Sequence, residues 1–195
     1  MKKFFKQFIN YIALIIVFLP WLTWKIERIL FQRNSLYLFW AQFFALIPGI
    51  VGNFLRRAFY HLVFPECSWE CEIGFGTFFS QPWAIIKKGV YIGPYCIIGK
   101  TILEEGVLIA SRVSIPSGKR QHKRRNDGTL TPADENAFET IHIGAHSWIG
   151  EGAIIMADLE NFVTVAAGSV VTQPVCRGCI VAGNPAKIIR KLEFH

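Results

Sequence analysis

Charge is scarce in this chain. Asp, Glu, Lys and Arg make up 18% of its 195 residues, against 52% hydrophobic residues that include 17 Phe and 6 Trp, and such a composition excludes a disordered chain or a solvated basic tail. The net charge of +7 does not indicate nucleic acid, because the cations are split among the N-terminal third, one central stretch and the C-terminus, with no aromatic stripe beside them. No nucleic-acid partner is therefore expected. The cysteine count is odd, at five, and no histidine cluster accompanies Cys67 and Cys71 or Cys176 and Cys179. No metal centre is expected, while a disulfide stays open for an oxidising compartment. Between Pro20 and Lys25 there is no small-x-small cleavage site, which argues against an exported chain.

What is abundant lies at the beginning. No charged residue falls between Gln7 and Trp24 or between Asn34 and Leu55; as ideal helix these runs would extend about 27 and 33 Å, near the roughly 30 Å of a bilayer core. Pro20 and the Pro48-Gly49 pair favour a kink or break in each. Lys2, Lys3, Lys6, Lys25, Arg28, Arg33, Arg56 and Arg57 flank the runs, a distribution that suits a re-entrant or in-plane hairpin against anionic headgroups on the cytoplasmic side. The competing reading is a pair of core helices capping a soluble domain, since Asn10 and Gln42 are cheaper in protein than in lipid. Residues 1–64 are thus expected to form a membrane-associated helical region.

After Pro65 the text changes period. Ile73, Phe79 and Ile85 recur at six, then Ile92 and Ile98, then Leu103, Ile109 and Ile115, then Ile143, Ile149 and Ile155, then Leu159, Val165 and Val171. Small or branched residues sit four places after many of these anchors, as at Val107, Val113, Ser147, Ala153, Val163 and Ser169. A helix needs apolar returns at three and four, and a plain strand at two, so six fits neither. It fits a short strand plus a turn wound into a three-sided coil, with about 18 residues per rung, rungs about 4.8 Å apart and the anchors filling the prism. The fold class expected is an all-β solenoid, a parallel β-helix over residues 65–190, with an N-terminal hydrophobic helical region and a short tail at 191–195.

The repeat resembles that of the hexapeptide-repeat acyltransferases, the left-handed parallel β-helix superfamily. Three stretches, IGAHSWIG from Ile143 to Gly150, AGSVVT from Ala167 to Thr172 and VAGNPAK from Val181 to Lys187, resemble the branch that O-acetylates sugars and exopolysaccharides. The segment from Ile47 to Tyr60 is similar to one preceding the coil in some polysaccharide-cluster acyltransferases. The resemblance implies acetyl-CoA as co-substrate, a homotrimer with sites between neighbouring coils, and no required metal.

Between Ile115 and Ile143 the period vanishes, and residues 116–140 form a polar excursion. Such a loop costs little closure entropy and carries polar groups that a packed coil excludes, so a site can be placed there. Acyl transfer from a thioester to a hydroxyl needs a base working near neutral pH, a task suited to imidazole. His122 is the catalytic candidate, and the family's histidine on such an excursion points the same way. Asp127, Glu139 or a backbone carbonyl could orient its second nitrogen, with His146 a weaker candidate for the chemistry and His142 another. Lys119, Arg120, Lys123, Arg124 and Arg125 surround it and would attract a phosphorylated ligand, whether coenzyme or lipid-linked sugar. Trp148 is a candidate platform for a sugar face or pantetheine arm, or an interface residue.

The resemblance also implies a groove for the coenzyme along the coil wall. Ala166, Ala167, Gly168 and Ser169 offer a wall of small residues through which backbone amides can meet pantetheine. Asn184, Lys187 and Arg190 lie where the adenosine end is implied, and the two cations could pair with its phosphates. The function expected is an O-acyltransferase moving an acetyl group from acetyl-CoA to a sugar hydroxyl of a free or lipid-linked glycan, in surface polysaccharide or glycolipid biosynthesis. The catalytic domain would lie on the cytoplasmic side of a bacterial inner membrane. The alternatives are N-acetyl transfer to an amino sugar and a non-catalytic trimeric scaffold.

Overall fold

The structure, a computed structural model, describes residues 2–119, 121–132 and 137–193. Three helices precede the coil: α1 (Lys2–Phe31), α2 (Ser35–Ala45) and α3 (Gly49–Val63). On α1, Ala13, Val17, Pro20 and Trp24 are buried, a spacing of four, three and four that turns one stripe inward. The opposite side leaves Phe8, Ile12, Ile15, Leu19, Ile26, Ile29 and Leu30 exposed. The break expected at Pro20 does not occur, and α1 runs through it. One missing N–H removes a single ladder bond, and Val17 and Trp24, packed on either side of Pro20, hold the helix together. At Pro48-Gly49 the chain does break, separating α2 from α3.

The helices close one end of the coil. Arg56, 1% exposed, donates from Nη1 to the carbonyls of Phe44 and Ile47, at 3.0 and 2.8 Å, and from Nε to Ile73 O at 2.9 Å. It thereby brings a charged donor to carbonyls at and just after the C-terminus of α2 and ties α3 to the first turn of the coil. The rings of Tyr60, Phe64 and Phe79 meet at centroid distances of 4.8 to 5.0 Å. The Tyr60 hydroxyl accepts from Phe79 N at 3.1 Å, and the Tyr37 hydroxyl donates to Phe79 O at 2.8 Å. One continuous apolar cluster joins helices and coil, so the inner helix faces cover the first turn of the coil.

The coil has three faces, parallel throughout except for the final strand of the second. The strands β1 (Glu66–Cys67), β4 (Ala84–Ile86), β7 (Thr101–Leu103) and β10 (Ile141–Ile143) form one. The second comprises β2 (Glu72–Ile73), β5 (Tyr91–Ile92), β8 (Leu108–Ile109), β11 (Trp148–Ile149), β13 (Thr164–Val165), β15 (Cys179–Gly183) and β16 (Ala186–Lys191). The third comprises β3 (Phe78–Phe79), β6 (Ile97–Ile98), β9 (Ser114–Ile115), β12 (Ile154–Ile155) and β14 (Val170–Val171). Register stacks like residues on like: Ile73, Ile92, Ile109, Ile149, Val165 and Val181 form one inner ladder, each at most 2% exposed. Val107, Val113, Ser147, Ala153, Val163 and Ser169 are also buried.

Two details correct the expected period. Ile85 is not an anchor: it faces outward and is half-buried, while Ala84 and Ile86 are fully buried on either side of it. Ile86 pairs with Leu103 and Leu103 with Ile143, because these three-residue strands alternate in, out, in. The rung is also not uniform, running nineteen residues from Ile73 to Ile92, seventeen from Ile92 to Ile109 and sixteen from Ile149 to Val165. Close stacking explains the glycines that follow the anchors, since a Cβ on Gly150 would lie 2.5 Å from Ala167 N. Residues 184–191 form a turn and β16, antiparallel on β15, so the last strand reaches one residue into the stretch expected as a tail.

Candidate active site

The excursion leaves the coil after Ile115 and is pinned at its base. Ser117 is buried, its Oγ accepts from Lys100 N at 2.8 Å, and its carbonyl accepts from Glu139 N at 3.1 Å. Gly118, at a φ of 83°, makes room for Glu139, whose carboxylate occupies the space a side chain would need. Farther out, the loop is a small hairpin. Thr131 N donates to Lys123 O and Arg125 N to Thr129 O, each at 2.8 Å, around a turn at Asp127 and Gly128.

That hairpin positions the candidate base. His122 is exposed, and its Nδ1 lies 2.9 Å from Thr131 O. A carbonyl can only accept, so the proton of the neutral ring sits on Nδ1 and Nε2 keeps its lone pair. Of the three orienting groups considered, the backbone carbonyl holds the ring. Asp127 is engaged elsewhere, its Oδ1 accepting from Thr129 N at 2.9 Å and Thr129 Oγ1 at 2.7 Å. Those hydrogen bonds, the hydroxyl's first, hold its carboxyl below the usual range. Asp127 therefore acts on the turn.

Two open cavities meet at Glu139. One, of 680 Å³, is lined by His122, Lys123, Arg124, Ala137 and Glu139. The other, of 410 Å³, runs along the coil past Lys119, Glu139, Ile141, Met156, Asp158 and Pro174. The structure thus brings His122, Arg124 and Glu139 to one cavity and reaches Lys119 through Glu139. Arg124 also donates from Nη1 to Gly128 O inside the hairpin. Arg120 lies outside the described residues.

The remaining candidates line neither cavity. His146, at a φ of 57°, occupies a left-handed corner, packed over Gly106 and stacked 5.3 Å from the Phe162 ring. Trp148, 53% exposed, stands on the outer side of β11 in an apolar ladder with Tyr91 and Leu108. His142 is better engaged than its sequence context indicated. Its Nε2 is 3.1 Å from Glu104 Oε1, and its amide donates to Asp158 Oδ1 at 2.8 Å. Sequence reasoning missed Glu104 and Asp158, and only the rung register brings them to His142.

Acyl-CoA makes demands on the wall at residues 166–169 that can be tested on the backbone. Ala167 and Gly168 are exposed, and nothing lies within 4 Å of a Cβ built on Gly168, so a thin chain can approach. The amides of Ala166, Gly168 and Ser169 are engaged within the coil, with Val181 O, Glu151 O and Ala166 O, which narrows a donor contact to Ala167. The Ser169 hydroxyl is also used, accepting from Gly183 N at 3.2 Å. Asn184, Lys187 and Arg190 are exposed along the β15–β16 hairpin. The wall leaves room for a chain as thin as a pantetheine arm, and Lys187 and Arg190 lie exposed beyond it. Among the described residues, no group of three His, Cys, Asp or Glu side chains is placed to hold a metal. The sulfurs of Cys176 and Cys179 lie 2.7 Å apart, those of Cys67 and Cys71 3.9 Å.

Comparison with known proteins follows the same outline. No family model matches the chain. A protein of Escherichia coli K12 named as a lipopolysaccharide biosynthesis O-acetyl transferase, WbbJ, is 34% identical over 129 residues, 63% of this chain and 64% of that protein. Serine acetyltransferase 2 of Arabidopsis thaliana is 34% identical over 120 residues, 58% of this chain and 32% of that protein. The chain therefore spans less than two thirds of the length of these relatives. The crystal structure of a maltose O-acetyltransferase from Clostridium difficile 630 superposes with a TM-score of 0.66 at 20% identity, covering 81% of this chain and 86% of that one. The relatives and the structural neighbour are all named as acetyltransferases, and this chain carries the left-handed β-helix fold of the structural neighbour.

Proposed function

We propose that the protein is a membrane-seated O-acyltransferase that moves an acetyl group from acetyl-CoA to a sugar hydroxyl of a surface polysaccharide or glycolipid precursor. The observation that carries the reading is the exposed His122 ring, held through Nδ1 by Thr131 O at 2.9 Å, which leaves the Nε2 lone pair available. In this mechanism His122 Nε2 takes the hydroxyl proton as the acceptor oxygen attacks, the Thr131 carbonyl keeps the ring in the competent tautomer, and Glu139, on the same cavity, offsets the charge formed on the imidazolium. Acyl-CoA, when bound, supplies an activated carbonyl with a thiolate leaving group, so no acyl-enzyme is needed. Lys119 and Arg124 draw a phosphorylated ligand to the loop, while Ala167, Lys187 and Arg190 guide the coenzyme along the coil. A homotrimer, joined through the Tyr91, Leu108 and Trp148 stripe, provides a second wall for the cleft.

Residues 1–64 are the membrane seat of this proposal and residues 65–190 its catalytic domain, on the cytoplasmic face of a bacterial inner membrane. α1 contains the stretch Lys6–Phe31, long and apolar enough to cross a bilayer. Its partners α2 and α3 have 11 and 15 residues, about 17 and 23 Å of helix against a bilayer core of roughly 30 Å. A bundle with two such short members favours lying in one leaflet over spanning. The test is to supply acetyl-CoA with lipid-linked glycan extracts and follow thiol release and acetylated product by mass. The product should lose its acetyl group in mild base, as an ester does. A base-stable product would make the acceptor an amine, and the absence of both signals from wild-type protein would leave only the scaffold.

A further inference from the structure

A second cavity system lies away from the loop, where α1, α3 and the first coil turn meet. Its volume is 780 Å³, and its walls include Lys6, Asn10, Tyr11, Leu14, His61 and Trp69. Glu70 stands among them as the one carboxylate. Behind this wall is Arg57, 3% exposed, donating to Asn10 Oδ1 at 2.9 Å and to Cys71 O at 3.1 Å. Its guanidinium stacks on Phe54 at 4.7 Å and lies 5.9 Å from the Trp69 ring. Its buried Nε has no hydrogen-bond partner, and among the described residues no carboxylate forms a salt bridge with it. A buried cation is normally matched by an anion, because an uncompensated charge out of water is costly. Here two groups that hold the cation, Asn10 and Trp69, are themselves cavity wall.

We propose that this cavity binds a phosphate-bearing amphiphile drawn from the bilayer, its phosphate facing Lys6, His61 and the field of Arg57 and its chain leaving along α1. The inference rests on the reading of α1 as the membrane seat. Lys6 on the wall and Arg57 behind it face Glu70, and the low-dielectric wall strengthens the field of the buried guanidinium at the cavity. His61 Nδ1 donates to Cys67 O at 2.8 Å, which fixes the ring and leaves the Nε2 lone pair to accept from a protonated oxygen of a phosphate monoester. Tyr11 and Leu14 continue into the exposed Phe8, Ile12 and Ile15 of α1, so an apolar tail finds a dry path from head to membrane. A free phosphate would use the cations but not this path.

The test titrates the full-length protein in neutral detergent by calorimetry with three probes: dihexanoyl phosphatidic acid, dihexanoylglycerol and inorganic phosphate. Phosphatidic acid should bind saturably and at least roughly tenfold more tightly than either other probe. The double variant Lys6→Gln with His61→Gln should weaken it by about the same factor, the scale of losing a charge-assisted contact. Equal binding of dihexanoylglycerol would reduce the cavity to an apolar crevice, equal binding of inorganic phosphate would make it a site for the free ion, and an unchanged double variant would remove the assigned residues; each result overturns the proposal. Flotation with phosphatidylcholine vesicles tests the membrane seat separately. Wild type that floats but does not titrate refutes the cavity alone, and wild type that does not float refutes the seat.

Discussion

His122 and Thr131 face each other across the base of a hairpin, imidazole Nδ1 to backbone carbonyl at 2.9 Å. The orienting group belongs to the main chain, so no side-chain substitution removes it directly, and the ring's tautomer depends on the hairpin keeping its shape.

Replacing the base itself is the first test. His122→Gln should lower kcat by about 10² to 10⁴, the usual worth of general base catalysis, while thermal unfolding, oligomer size and coenzyme affinity stay as in wild type. Because His122 is exposed and makes no core contact, a variant with full turnover would take it out of the chemistry.

Loosening the hairpin should act through the ring. Gly128 has a φ of 85°, and a β-branched residue in that region costs about 1–2 kcal/mol. Gly128→Val should therefore reduce kcat with little change in the melting temperature of the coil. Gly128→Asn, which tolerates the conformation, should restore most of it. Equal turnover in all three proteins would uncouple the hairpin from catalysis.

The corrected register can be tested by stability. Ile86 is fully buried and Ile85 is not, so Ile86→Ala should cost about 2–5 kcal/mol in chemical denaturation. Ile85→Ala should cost distinctly less. The reverse order would restore Ile85 as the core position.

Alkali should destabilise the helix–coil junction. Burial pushes the Tyr60 and Tyr37 hydroxyls above their ordinary range, whereas in the unfolded chain both ionise near about pH 10. Their contribution is complete below that value and is lost as pH rises toward the folded pKa values, at about 1.4 kcal/mol per pH unit for each tyrosine. Tyr60→Phe should remove one tyrosine's share of the slope. At neutral pH it should also cost about 1–3 kcal/mol, because the buried Phe79 amide loses its acceptor. An unchanged slope of stability against pH from 10 upward would contradict this.

The coil was legible because its period is enforced residue by residue: Ile92, Ile109 and Ile149 stack directly, so each anchor is constrained by its neighbours above and below. Ile85 misled because two adjacent isoleucines leave the inward one undetermined until the three-residue strand is seen. Pro20 misled for the opposite reason, since tertiary packing on Val17 and Trp24 overrode a local propensity. In the loop, His122 stood out as a residue type, but its partner did not, because any residue can supply a carbonyl. The signal that could have found it was the run of Asn126, Asp127, Gly128 and Thr129, a hairpin turn written in ordinary turn chemistry. Glu104 and Asp158, far from His142 in sequence, could not be paired with it before the rungs were in register.

The shortening rungs carry a consequence of their own. On the third face the interior residue passes from Phe79 through isoleucines to Val171, while the rung shortens from nineteen residues between Phe79 and Ile98 to sixteen between Ile155 and Val171, so this face is broad at the helical end and narrow at the other. The turns of the coil are consequently not interchangeable modules: a duplicated narrow turn inserted near Phe79 would leave a hollow, and a copy of the broad turn inserted near Val171 would not close around its own bulk. Growth or loss of whole turns is then mechanically easiest where successive perimeters already match, between Ile149 and Val181.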